Sequence, residues 1–455
     1  MKSSHLLALI LMVGFAGHAL AAWPAQLSLH ECIDEALDKS PDLASSRHMI
    51  EAARADITKK RGTLMPYLAA QASAYVVNGQ PVNEFSVLNL FNAATGVTTH
   101  NHANWDPLSI QEFLLTYPLF YEGSLMGLND PPAVASSRAT MTEQQAVALV
   151  NEQKVIFNVV SAYVNVASFE DQLALQEQIV AGYQRQFDIV ETQRQLGLKL
   201  PKDVEIARGQ LQSATDAAES LRQSALSYKI QLAELMGRGA DRTLEIEPTP
   251  PPMPQLAPLD EFLAQVMPNN PSLMVDEAKI EVARQQVRVD KVAQWPIANL
   301  NTNFATGQDL EHFNGSSRFP RPVLYESYIT ITMPLWDFGQ RRAAEHESDE
   351  NLAVSKETLK ATAETLRTSI TQVYGQISAY ERTTAALEAS YLELERESDL
   401  TRAQRQAGVA DELSLVAAKL AEDNAKLAVI SEQLEEQLQY ASLQNLAGGN
   451  WSWVE

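Results

Sequence analysis

The stretch Phe338–Leu446 decides the fold, and its centre, residues 387–434, reads LEASYLELERESDLTRAQRQAGVADELSLVAAKLAEDNAKLAVISEQL. The stretch is poor in proline and carries apolar residues at a strict spacing of seven. Leu352, Leu359, Leu366, Val373, Tyr380, Leu387 and Leu394 form one row, and Ala363, Ile370, Ile377 and Tyr391 lie four residues on from members of it. Such a seam belongs to a helix packed lengthwise on another helix. A second row, Leu413, Leu420, Leu427 and Leu434, follows Gln406-Ala407-Gly408-Val409. Two long helices therefore fold back on each other near Gly408. At ~1.5 Å per residue the first spans roughly 100 Å, and this element sets the scale of the molecule.

Working outward, the same plan recurs upstream. Val159, Val166, Leu173, Val180 and Phe187 make a row that stops at Gly197, and Val204, Leu211, Ala218, Ala225 and Leu232 make the next, which Pro201 opens and Gly237 and Gly239 close. Five landmarks then repeat in order. Ser40-Pro41-Asp42-Leu43 matches Asn270-Pro271-Ser272-Leu273, and Met65-Pro66-Tyr67 matches Trp295-Pro296-Ile297. Tyr117-Pro118-Leu119-Phe120-Tyr121-Glu122-Gly123 matches Met333-Pro334-Leu335-Trp336-Asp337-Phe338-Gly339. Gln193-Arg194-Gln195-Leu196-Gly197 matches Gln404-Arg405-Gln406-Ala407-Gly408, and Leu235-Met236-Gly237 matches Leu446-Ala447-Gly448. This order marks an internal duplication. The reading gives a first repeat at 22–246, a proline-rich linker at 247–258, a second repeat at 259–448 and a short tail at 449–455. Each repeat is expected to run helix, strand, loop, strand, long helix, turn, long helix.

The chain opens with Lys2, an apolar run from Leu6 to Phe15, and Ala19-Leu20-Ala21, the pattern of a signal peptide over residues 1–21. No cysteine follows the cleavage site, and the lone Cys32 has no partner for an internal disulfide. The net charge of -22 argues against nucleic acid. No later segment offers about 20 unbroken apolar residues, so no transmembrane helix is expected. The strands are more informative. Tyr67–Asn78 and Ile110–Leu119 read as strands, the second closed by Pro118, with a long loop from Gly79 to Pro107 between them. Asn299, Asn301 and Asn303 alternate with Ala298, Leu300, Thr302 and Phe304, and Tyr325 to Met333 alternates likewise. Strands alone fit an ordinary half-buried sheet. Each is also about ten residues long, enough to cross a bilayer at a tilt of ~45°. With a signal peptide and no transmembrane helix, the bacterial outer membrane is the natural destination. A sheet there must close, because open edges leave backbone groups unpaired in hydrocarbon. Four strands are too few to enclose a lumen, so the barrel is expected to be shared between copies of the chain.

With its duplicated plan, its two Pro-Leu-aromatic-x-x-Gly signatures and its paired turn signatures, the mature chain resembles the TolC-like family of outer-membrane efflux and secretion channels. The resemblance implies a mixed, mainly α fold: antiparallel coiled helices plus four transmembrane strands per chain, closing as a homotrimer with a twelve-stranded barrel and a twelve-helix tunnel through the periplasm. It implies no enzymatic activity and no cofactor. The partners implied are a periplasmic adaptor (a membrane fusion protein), an inner-membrane transporter that supplies the energy, and outer-membrane lipid. It also implies adaptor docking at the helix tips, here Arg194, Gly197, Leu198, Gly408 and Val409, and acidic rings just past them. Asp203 matches one ring position. Its second-half counterparts are Ser414 and Ala417, with Asp411 and Glu412 nearer the tip as substitutes. The plainer reading of Asp203 and Asp411 is that of acids near helix starts, where negative charge is favoured. Arg402 and Arg405, with Arg194, Lys199 and Lys202, are candidates for gate contacts or ordinary surface charges. His100, His102 and His312 fall in loops with no visible ligand set. Tyr163, Tyr183, Tyr228, Tyr380 and Tyr391 read as packing residues. The competing class is a soluble periplasmic coiled-coil scaffold or adaptor without a pore, for which a lipoyl-like β domain around a single hairpin would be expected.

Overall fold

The computed structural model describes residues 26–78, 105–241, 244–247, 256–309, 323–449 and 451. The segment read as a signal peptide, most of the proline run, the three loop histidines and most of the tail lie outside them. Eight α-helices and five strands are present among the described residues: α1 Leu29–Lys39, α2 Pro41–Gly62, β1 Tyr67–Asn78, β2 Trp105–Tyr121, β3 Ser124–Leu125, α3 Pro132–Gln195, α4 Pro201–Leu235, α5 Leu259–Val266, α6 Pro271–Val292, β4 Ile297–Asp309, β5 Val323–Thr332, α7 Gln340–Gln406 and α8 Glu412–Leu446. None of the helices is long and apolar enough to cross a membrane.

Local chemistry explains the boundaries. Ser40 ends α1 and caps α2, its hydroxyl accepting from Leu43 N with Pro41 at the first helical position, and Asn270 with Pro271 does the same for α6. The strand β2 differs from the sequence reading. It starts at Trp105, inside the expected loop, and runs past Pro118 to Tyr121. Pro118 is tolerated because the pairing with β4 shifts by one residue between Pro118 and Phe120, and a bulge is where proline can sit in a sheet. A two-residue strand, β3, is also added beside β2.

The sheet is antiparallel throughout, ordered β1-β2-β4-β5 with β3 on β2. The two hairpins have one register. Tyr67 faces Thr116 in the first, and their counterparts Ile297 and Thr332 face each other in the second. Below the sheet, α3 pairs with α4 and α7 with α8, while α8 also lies along α3. The largest core gathers Cys32, Ala36, Val159, Tyr163, Leu232 and Met236, and burial pushes the Cys32 thiol up to about 12. A smaller core around Ile370, Ile377, Tyr440 and Leu443 takes in α5.

Polar staples repeat with the fold, in one case with changed residue types. Ser137 donates to Asp56 at 2.6 Å, and Ser348 donates to Asp290. Asn151 donates to Ser46 at 2.9 Å, and its counterpart Thr362 to Asp276 at 2.7 Å. Tyr163 OH reaches Glu247 O at 3.0 Å and Leu27 O at 3.3 Å, and Tyr374 OH reaches Ala257 O at 3.0 Å. The two tyrosines therefore clasp the chain on either side of the proline-rich segment.

Candidate functional site

The candidate site is the pair of helix tips. At the first, Gly197 takes φ +77° and at the second Gly408 takes φ +78°, a region other residues rarely enter. The turns are built alike. Leu198 N donates to Gln193 O at 2.8 Å and Gly197 N to Arg194 O at 2.9 Å; Val409 N donates to Gln404 O at 2.8 Å and Gly408 N to Arg405 O at 3.0 Å. These bonds satisfy the last carbonyls of each helix and reverse the chain in a few residues. The turns then hold apolar side chains in solvent: Leu196, Leu198 and Val409 are 70%, 72% and 79% exposed.

Each tip also carries one capping carboxylate, at opposite members of an equivalent pair. In the first, Asp203 Oδ2 accepts from Leu200 N at 3.0 Å. In the second, Asp411, counterpart of Leu200, accepts from Ser414 N at 2.8 Å through Oδ1. The bonds from Ser414 hold the Asp411 carboxyl below its ordinary range. Both carboxylates thus do the work of helix caps. In the second half Ser414 stands where the first has Asp203, and the capping acid sits at the other end of the equivalent cap.

The arginines are held by neighbours rather than by these carboxylates. Arg194 grips Glu191 with two bonds, of 2.6 and 2.9 Å, and this pairing pulls Glu191 down to about 2. Arg402 pairs with Asp399 at 2.6 Å within α7. Arg405 crosses the second turn to Glu412 at 3.0 Å. Glu191 and Asp399 were missed in the sequence, where the spacing of three to each arginine on a helix is the available signal. The tips are also joined to each other. Val190, Val204 and Ala207 form a small buried cluster with Phe187, and Leu413 from the second hairpin packs onto it. Farther from the tips, Gly182 of α3 lies against Leu420 of α8; a Cβ at Gly182 would sit 2.6 Å from Leu420 Cδ2.

Comparison with known proteins gives a consistent picture. A family model described as outer membrane efflux protein matches residues 32–238 and 263–449. The chain is 24% identical over 444 residues to outer membrane protein OprJ of Pseudomonas aeruginosa, covering 93% of this chain and 84% of that protein. It is 22% identical over 409 residues to outer membrane protein TolC of Escherichia coli, covering 84% and 75%. The crystal structure of the outer membrane protein VceC from Vibrio cholerae superposes with a TM-score of 0.71 at 18% identity, covering 92% of this chain and 96% of that one.

Proposed function

The chain belongs to the outer membrane efflux protein family, and from that premise we propose how it serves as an exit duct of the outer membrane. Three copies close a twelve-stranded barrel from their four long strands each, and their hairpins close a twelve-helix tunnel in the periplasm. The two structural repeats, 22–246 and 259–448, supply equivalent sectors of that wall on either side of the linker 247–258. Substrates pass through passively. Energy comes from an inner-membrane transporter, and a periplasmic adaptor grips the exposed tips at Arg194, Gly197, Leu198, Gly408 and Val409.

The observation that carries this reading is the sheet. Among the described residues of one chain the outer strands β1 and β5 each pair on one side only, and large apolar residues stand out from the second hairpin: Tyr325, Ile329 and Ile331 are 67%, 59% and 70% exposed. In hydrocarbon, an open edge leaves backbone donors and acceptors unpaired at several kcal/mol each, and only closure removes it. The apolar tips and the paired charges beside them suit a contact that forms and releases. Asp203, Asp411, Glu412, Arg402 and Arg405 ring the entrance and set its charge.

The test is the mass of the detergent-purified protein and its conductance in planar bilayers. A three-chain particle that conducts is expected. A folded single chain, stable in buffer without detergent, would overturn the reading. For the gate, Asp203→Ala is expected to raise single-channel conductance or to weaken block by divalent cations. If neither changes, Asp203 has no part in the gate.

A further inference from the structure

The trimer proposed above leaves open which residues of one chain meet which of the next. The internal duplication supplies the answer, because one junction of the same kind already exists inside each chain. Strand β2 ends the first hairpin and pairs with β4, which begins the second. Strand β5 ends the second hairpin, and the next strand around a closed wall is β1 of another copy. The two hairpins share one register under the correspondences Tyr67 to Ile297 and Thr116 to Thr332. The junction inside the chain therefore maps onto the junction between chains.

We propose that β5 of one subunit pairs with β1 of a second copy in the register of β2 on β4, placing Thr332 opposite Gln71, Ile331 opposite Ala72 and Trp336 opposite Leu68 of the neighbour. These are the counterparts of Thr116↔Asn301, Leu115↔Thr302 and Phe120↔Ala298. The inference rests on the shared barrel and goes beyond it to a residue-level contact.

Three further observations point the same way. First, β2 continues as strand to Tyr121, whereas β5 stops at Thr332, and Met333–Asp337 takes no strand form. The hairpin partner β1 reaches only as far as Thr116; it is β4 that pairs with β2 from Tyr117 to Phe120, with the short β3 on Phe120 and Tyr121. The segment Met333–Asp337 has the same sequence plan, and among the described residues no strand of its own chain pairs with it.

Second, an aromatic contact stands at the junction inside the chain, and the counterparts of its two residues stand exposed at the two edges. Phe120 stacks on Trp295, with ring centroids 6.2 Å apart and planes within 8°. Its counterpart Trp336 is 79% exposed, and Met65, the counterpart of Trp295, is 55% exposed on the opposite edge. Third, a Cβ added at Gly123 would meet Trp295 at 3.2 Å, but one added at its counterpart Gly339 would meet nothing within 4 Å. The fold holds Phe338, beside Gly339, at φ +54° and 92% exposed, and Glu122 holds the equivalent place at φ +47°. The same left-handed turn is thus built twice: covered by the second repeat in one case, and open for the first repeat of a neighbour in the other. In the pairing proposed, Met65 of the next subunit packs over Trp336 and Gly339 as Trp295 packs over Phe120 and Gly123.

Disulfide trapping in outer membranes of cells making the full chain tests this. In a Cys32→Ala background, the pairs Ile331→Cys with Ala72→Cys and Thr332→Cys with Gln71→Cys sample both kinds of antiparallel neighbour, whose Cβ atoms lie ~4.5–5.5 Å apart. At least one pair is expected to convert the one-chain band to two- and three-chain bands on mild oxidation. Slipped pairs, Ile331→Cys with Ala70→Cys or with Ala74→Cys, are expected to stay at one chain. Trapping by a slipped pair and by neither proposed pair would overturn the register while leaving the trimer standing. A single-chain mass for the purified protein, with no trapping by any pair, would instead remove the trimer itself. Trp336→Ala with Met65→Ala gives a second readout: the double variant is expected to lose three-chain particles in detergent at a lower temperature than the parent, and unchanged dissociation would remove that contact.

Discussion

Gly182 is the point where the two hairpins approach most informatively, and replacing it by alanine sets two effects of known size against each other. An alanine inside a long helix is favoured over glycine by about 1 kcal/mol, since the backbone loses less freedom on folding. The added Cβ, however, would stand 2.6 Å from Leu420 Cδ2 and 3.1 Å from Cγ. Leu420 has little room to yield, for it is 6% exposed in a cluster with Leu175, Ile179, Ala214 and Val416. Forcing an extra carbon into such a site costs about 1–3 kcal/mol. Gly182→Ala should therefore destabilise the seam between α3 and α8 by roughly 0–2 kcal/mol net, combining that cost with the helix gain. The sign can be tested cleanly. Leu420→Ala alone should cost about 2–5 kcal/mol, the range for emptying a packed aliphatic site. In that background the clash is gone, so Gly182→Ala should become stabilising by about 1 kcal/mol. Denaturant unfolding of the four detergent-solubilised proteins, with hydrogen exchange over α3 and α8, measures the cycle. If Gly182→Ala stabilises equally in both backgrounds, the hairpins are not held together at this approach.

Three other perturbations follow from the packing. Tyr163→Phe leaves Glu247 O without its phenolic donor, while Leu27 O still accepts from Glu247 N, and should cost about 1–3 kcal/mol, with Tyr374→Phe costing less because that ring is only partly buried; limited proteolysis of the linker in each variant gives the comparison. Arg238→Ala strips Glu35, only 16% exposed, of its bidentate partner, and thermal unfolding should register a loss of about 2 kcal/mol, below the ~3–5 kcal/mol of a fully buried pair because Lys39 also bonds Glu35. Asp411 has a folded pKa depressed below its ordinary 3.8, so its contribution is present above that value and is lost as pH falls through the lower folded one. Amide exchange at Ser414, corrected for the intrinsic rate, should therefore stay constant from neutrality to about pH 4 and rise only in stronger acid; a rise beginning near neutrality would contradict the cap.

Much of the architecture was legible because it is written in periods and punctuation. Heptad rows of leucine and valine fix long paired helices, and Gly197 and Gly408 fix where they reverse, since few other residues take that backbone conformation. The proline landmarks exposed the duplication, and Tyr67–Asn78 emerged as a strand with the bounds expected of it. The end of β2 was not legible. Pro118 reads locally as a stop, and the strand continues because β4 pairs past it through a bulge and β3 pairs with Phe120 and Tyr121.

The tip chemistry divides in the same way. Asp203 and Asp411 were visible as acids near helix starts, but that they occupy opposite ends of one equivalent cap depends on which amide each reaches. Ser137 with Asp56 and Ser348 with Asp290 hold equivalent helices together, yet the aspartates stand at different steps from their proline landmarks, so aligning the repeats does not pair them.

By itself the sequence determined the long helices, their turns, the four long strands and the repetition, because helical period, alternation and turn residues act over distances of a few residues. Tertiary structure alone decided what lies against what: Leu413 on the first hairpin, Leu420 against Gly182, and β2 beside β4. Those contacts join residues far apart in the chain, and their geometry follows from packing that no local pattern encodes.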